Sequence, residues 1–250
     1  MLGDGWSVDL TDSDSIEPIN SKLCTSINGK PVVSMSYLFA NSKASSIDLS
    51  SFDTSNVNNM SGMFYNTSNA VLDFSSFDTS NVKSMSGMFE KSKVDNLNLS
   101  SFDTSEVVNM IGMFSNNEAS TINLSNFNTS KVTMMNNMFY NSKALVLDLS
   151  SFDTSSVLEM SSMFSGSLAT NINVSSFDTS NVTNMNSMFA NSKALRLDLS
   201  SFDMHKVTSA QYMFCNVNQD IITKGVNYVE LGKMYECYKV NPCAQGGCEA

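Results

Sequence analysis

The chain has 250 residues, 15% of them charged, with a formal net charge of −10, one histidine and three prolines. That balance argues against nucleic-acid binding through phosphate neutralisation and against attraction to an anionic membrane surface. No apolar run approaches the roughly 20 residues that span a bilayer, and a lone histidine offers no acid–base pair for catalysis.

In chain order, residues 1–31 read as an N-terminal cap. The opening MLGDGWSVDLTDSDSIEP lacks the basic and apolar regions of a secretory signal peptide, leaving a cytosolic protein or a mature fragment behind an added Met. Trp6 is expected to pack over the first repeat. Cys24 is expected to be a buried free thiol, with an intermolecular disulfide as the sharper alternative. Seven stacked strands would place it roughly 30 Å from the other cysteines, too far for a bond within the chain.

Residues 32–214 repeat every 25 positions. The word SSFDTS stands at 50–55, 75–80, 100–105, 150–155 and 175–180, with the variants SNFNTS at 125–130 and SSFDMH at 200–205. Phe52 to Phe202 form one 25-residue series and Phe39 to Phe214 a second, while methionines recur from Met35 through Met60/Met63 to Met213. Apolar ladders with one rung per repeat are what a stacked interior requires.

Two periodicities alternate within each unit. Val182, Met185, Met188 and Phe189 have the spacing of one face of a short helix, and the preceding Asp-Thr-Ser supplies N-cap candidates. Asn41, Asn66, Asn116, Asn141, Asn191 and Asn216, with Gly166, sit where a left-handed helix stop belongs; Lys91 is the exception. Gly62, Gly87, Gly112, Ser162 and Ser187 precede the second Met and would let helices approach closely. LDLSSF then alternates with period two, a short strand. The resulting expectation is an α/β repeat solenoid, a right-handed leucine-rich-repeat-type array of about seven to eight coils. Each coil would hold one short parallel strand and one short helix. Helices need about 8–10 Å between axes and strands about 4.8 Å, so the strands would line a concave face.

The unit assembled from LDLSSF at 197–202 and SSFDTSNVTNMNSMFANS across 175–192 resembles the BspA-like leucine-rich-repeat surface proteins. That resemblance implies bacterial or protist surface proteins, many serving adhesion, with no shared catalytic residues. Residues 215–250 lose the period and read as a C-terminal cap. Cys215, Cys237, Cys243 and Cys248 lack the spacing of a zinc site and are expected to form two disulfides, which points to an extracellular or cell-surface location.

The candidate binding face is the outward row Asp48, Asp73, Asn98, Asn123, Asp148, Asn173 and Asp198, with Arg196 on the adjacent variable row. Lys43, Lys93, Lys143 and Lys193 recur every 50 residues as a candidate cationic edge, about 10 Å apart. Stacked aspartates, here and from Asp53 to Asp203, would repel one another. Calcium could relieve that, but Asp-Thr-Ser is also a turn-forming unit and is preferred as such. N-glycosylation tripeptides at Asn59, Asn66, Asn98, Asn123, Asn128, Asn173 and Asn181 are frequent by composition alone.

The expected function is non-enzymatic adhesion or ligand binding at a surface, without a cofactor. Partners would be a host or matrix protein, a polysaccharide or another cell-surface molecule. The alternative is self-association into an extracellular filament or coat.

Overall fold

A computed structural model describes residues 6–7, 14–19, 26–68, 71–217 and 222–224. Its strands are short: β1 (Trp6–Ser7), β2 (Ser26–Ile27), β3 (Lys30–Ser34), β4 (Ser46–Ile47), β5 (Val71–Leu72), β6 (Asn96–Leu97), β7 (Thr121–Ile122), β8 (Val146–Leu147), β9 (Asn171–Ile172), β10 (Leu197–Asp198) and β11 (Ile222–Lys224). Strands β1, β3 and β2 form a sheet at the N-terminal end, in which Asn28-Gly29 turns β2 into β3 with both residues at positive φ. The remaining strands pair in parallel twos, β4 with β5, β6 with β7, β8 with β9 and β10 with β11. The register is one 25-residue repeat, for example Asn96 opposite Thr121.

A second parallel line joins the repeats without a break. Single-residue bridges run Ser34–Asn59–Ser84–Asn109–Met134–Glu159–Asn184–Ser209.

No helix is present among the described residues, which overturns the expectation of one helix per repeat and with it the α/β leucine-rich-repeat class. The Met-x-x-Met-Phe segment shows why. The N–H groups of Met85, Gly87, Phe89 and Lys91 donate to Asn109, Ile111, Met113 and Ser115 of the next repeat at 2.7–3.0 Å. Between them, Met88, Glu90 and Ser92 donate to the carbonyls three residues back, at 3.0–3.2 Å. Successive N–H groups thus alternate between closing a turn and joining the next repeat, where a helix would bond each to the carbonyl four back. Two residues per repeat carry left-handed backbone, Gly87 at φ 59° and Lys91 at φ 57° in this one. A positive φ at the third position of a turn is the mark of type II geometry. The supposed helix stops, Lys91 included, are all left-handed, but they end a turn. The small residues before the second Met serve backbone conformation and not helix approach.

The helix-driven curvature loses its cause as well. Direct backbone bonds hold the repeats together on the turn side as on the strand side, so no 8–10 Å helix spacing enters.

The core lies between these ladders. Phe39, Phe64, Phe89, Phe114, Phe139, Phe164, Phe189 and Phe214 stack in one column with ring centroids 5.4–5.8 Å apart. The paired methionines are fully buried beside them. Phe74, which replaces the usual Leu or Val, wedges edge-on among Phe64, Phe77, Phe89 and Phe102. Truncating one such ring to Ala removes about 3–5 kcal/mol.

The threonine of the repeated word is also interior. Thr54 is buried; its hydroxyl donates to the Asp78 carbonyl and accepts from the Asp78 N–H, each at 2.8 Å. Thr79, Thr104 and Thr179 make the same two bonds to the following repeat. These threonines staple repeat to repeat; they cap no helix.

Candidate binding face

The outward row is built by the alternation in LDLS. Leu147 and Leu149 are buried while Val146, Asp148 and Ser150 between and beside them are exposed. Each Asp or Asn of the row is fixed by its own backbone two residues on. Ser50, Ser75, Ser100, Ser125, Ser150, Ser175 and Ser200 donate their N–H to Oδ1 of Asp48, Asp73, Asn98, Asn123, Asp148, Asn173 and Asp198, at 2.9–3.2 Å. The hydroxyl and N–H of Ser50 and Ser150 hold Asp48 and Asp148 below the ordinary carboxylate pKa; the N–H and then the hydroxyl of Ser75 do so for Asp73. The row from Asp53 to Asp203 is used in the same way, by the N–H of Ser55 through His205. Among the described residues no group of three or more His, Cys, Asp or Glu side chains is placed to hold a metal ion. Repulsion within this second row is felt at Asp178, where the Asp203 charge is the weakest of the influences on its pKa.

Two open grooves follow one another along this face. The first, about 730 Å³, runs over β6, β7 and β8 and is lined by Asn96, Asn98, Ser120, Thr121, Asn123, Leu145, Val146 and Asp148 above the buried Leu97 and Ile122. The second, about 450 Å³, continues over β8 to β10 and is lined by Val146, Asp148, Asn171, Asn173, Ser175, Arg196 and Asp198. Of the candidate residues, Asn98, Asn123, Asp148, Asn173, Arg196 and Asp198 come together there. Asp48 and Asp73 continue the row outside both grooves.

The sequence reading missed Leu145 and Leu195. They are 55% and 71% exposed on this edge, beside Val146 at 57%. The available signal was an apolar residue where other repeats carry Ser45, Asp95, Ser120 or Thr170.

The lysine row is less continuous than its spacing suggested. Lys43 pairs with Asp14 at 2.8 Å and Lys143 with Glu118 at 3.3 Å, Glu118 occupying the intervening repeat. Lys93 and Lys193 are exposed and have no ion pair among the described residues. His205, also exposed, pairs with Asp203. Two glycosylation tripeptides have their amide nitrogen engaged: Asn66 Nδ2 donates to Asn41 Oδ1 and Asn181 Nδ2 to the Ser155 carbonyl.

Cys215 is buried in the last turn. Cys237, Cys243 and Cys248 lie outside the described residues, and the pairing of the four falls there with them. Cys24, the side chain of Trp6 and most of the 215–250 segment also lie outside.

These features define a repeat protein of strand-rich 25-residue units with a polar, grooved strand face. Residues 14–127 and 109–224 both match the family described as Mycoplasma protein of unknown function, DUF285. The chain belongs to that family. No curated protein matches it, and no solved structure does.

Proposed function

We propose that the chain is a non-enzymatic binding module, displayed at a cell surface or outside the cell, that holds its ligand on the strand face. One observation carries the reading. The scaffold positions of each repeat are nearly invariant, whereas the positions lining the grooves change from one repeat to the next, as in Asn96, Thr121, Val146, Asn171 and Arg196. Exposed positions elsewhere in the repeat vary too, as in Lys83 and Leu158, so what marks this face is that its varied positions line continuous grooves. The stacked repeats act as a solenoid that fixes the spacing of the face, and no cofactor is needed for that role. The likeness of the repeated unit to BspA-like surface proteins supports the location and the adhesive role. Partners in this reading are a polysaccharide, a host or matrix protein, or another cell-surface molecule.

The test is a screen of the purified chain against immobilised polysaccharides and matrix proteins. Saturable binding to at least one is expected, and a flat response across both sets contradicts the reading.

A second reading, end-to-end or face-to-face assembly into a filament or coat, is favoured by the exposed Val71, Leu145, Val146 and Leu195, which a second copy could cover. Light scattering at rising concentration separates the two: mass that grows with concentration supports assembly, and a constant monomer supports the binding module.

A further inference from the structure

Resting on the strand face as the ligand-binding surface, we infer that its grooves take an uncharged, hydroxyl-rich chain, a neutral polysaccharide laid along the stack of repeats. The hydrogen-bonding groups come first. Because Oδ1 of Asn98, Asn123 and Asn173 accepts the N–H of the serine two residues on, their Nδ2 groups face outward as donors. Asp148 is held in the same way through Oδ1 and presents its second oxygen as an acceptor. The row therefore offers donor, donor, acceptor and donor in successive repeats, already oriented. Fixing these rotamers in advance removes an entropy cost that binding would otherwise meet. Sugar hydroxyls both donate and accept, so they satisfy a mixed row that a purely donating or purely accepting ligand does not.

The lining is also sparsely charged. Among the described residues Asp148 is the one ionisable side chain lining the first groove. In the second, the Arg196 guanidinium offsets one of the two carboxylates, Asp148 and Asp198, so the lining is only weakly negative. A chain of net charge −10 repels an anionic polymer at long range. A basic polymer would be drawn by the same charge at long range, but in the grooves it would meet only two carboxylates, Asp148 and Asp198, with Arg196 beside them and mostly amide and hydroxyl groups elsewhere. Exposed Leu145 and Val146 supply the apolar wall that the C–H face of a pyranose ring packs against. Among the described residues no aromatic side chain lines either groove, which departs from the Trp- and Tyr-rich anchors of protein partners.

The test uses calorimetry with neutral glucan, mannan and galactan oligosaccharides, alongside hyaluronan and soluble fibronectin as charged-glycan and protein probes. Asn123→Asp is the informative variant. Asp occupies the same position at Asp48, Asp73 and Asp148 and makes the same turn, so the melting temperature should stay unchanged while a donor becomes a charged acceptor. A neutral oligosaccharide should bind the wild-type chain and bind N123D at least about tenfold more weakly, which corresponds to about 1.4 kcal/mol. Equal binding of a neutral glycan by wild type and N123D would overturn the inference. So would binding of hyaluronan or fibronectin with no neutral glycan bound, although that result would leave the face itself a binding surface. Failure of every probe would overturn both the inference and the reading beneath it.

Discussion

Thr104 is 1% exposed, yet it carries a hydroxyl that the sequence pattern offers to solvent. Its Oγ1 donates to the Asn128 carbonyl at 2.9 Å and accepts the Asn128 N–H at 2.8 Å, so one polar atom satisfies two backbone groups of the next repeat. Thr104→Val keeps the shape and orphans both. A buried unpaired donor costs about 1–3 kcal/mol, and at this chain length each kcal/mol lowers the melting point by about 2–4 °C. Thr104→Ser should keep most of that stability, and thermal melts of the two variants compare them directly. The aspartates make a pH argument at the same scale. Asp48, Asp73, Asp103, Asp148, Asp178 and Asp203 have folded-state pKa values lowered from 3.8 by the turn hydrogen bonds they accept. The folded state then binds fewer protons than the unfolded one. This contribution is complete above the unfolded value and is lost as pH falls through the lower folded values. Melts on acidification should show stability falling below pH 3.8, with the acid limb shallower in Asp103→Asn. Asn128 already makes the same turn without a titrating group, so that variant should change little at neutral pH.

At the scale of the element, the register of the repeat was legible and the helix was not there. Phe and Met periodicity placed the buried columns correctly, and the alternation in LDLS placed the outward row. Val182, Met185, Met188 and Phe189 misled because overlapping turns, closed by the N–H groups of Met188, Ala190 and Ser192, bury residues three and four apart just as a helix does. The contrary signal was in the polar positions. Gly62, Gly87, Gly112, Asn137, Ser162 and Ser187 fall four residues before Asn66, Lys91, Asn116, Asn141, Gly166 and Asn191, and every one has positive φ. A helix tolerates left-handed backbone at its end, not twice within one turn. The inward threonines escaped notice because a capping hydroxyl and a stapling hydroxyl look alike in sequence. Gly112 checks the turn assignment. A Cβ there would meet Ser115 Cβ at 3.6 Å and Glu90 Oε2 at 3.7 Å, so space is adequate and the penalty is one of backbone conformation. Gly112→Ala should cost about 1–2 kcal/mol, and Gly112→Asn clearly less, since Asn137 holds the same conformation at φ 59°. Equal losses in denaturant titrations would point away from a left-handed requirement.

At the scale of the molecule, invariant and varied positions divide the work. The word SSFDTS supplies a buried ring, a stapling threonine and two serine N–H groups that lock the preceding carboxylates and amides; all of this is scaffold. The grooves run over positions that differ between repeats, and the ligand preference argued above follows from those differences; exposed positions away from the grooves, such as Lys83 and Leu158, differ as well. Leu158 provides the matching control. It is 48% exposed beside the bridge ladder, bonded through its N–H to the Thr133 carbonyl, and lies away from the residues lining the two grooves. Val146 and Leu158 are both apolar and similarly exposed, so Arg at either position adds the same charge at comparable cost to the fold. The most direct measurement is therefore the affinity of Val146→Arg and Leu158→Arg for whichever polysaccharide or matrix protein binds the wild-type chain. Loss of binding in V146R with affinity retained in L158R is the predicted result; equal affinities, or loss confined to L158R, would contradict the strand face as the binding surface.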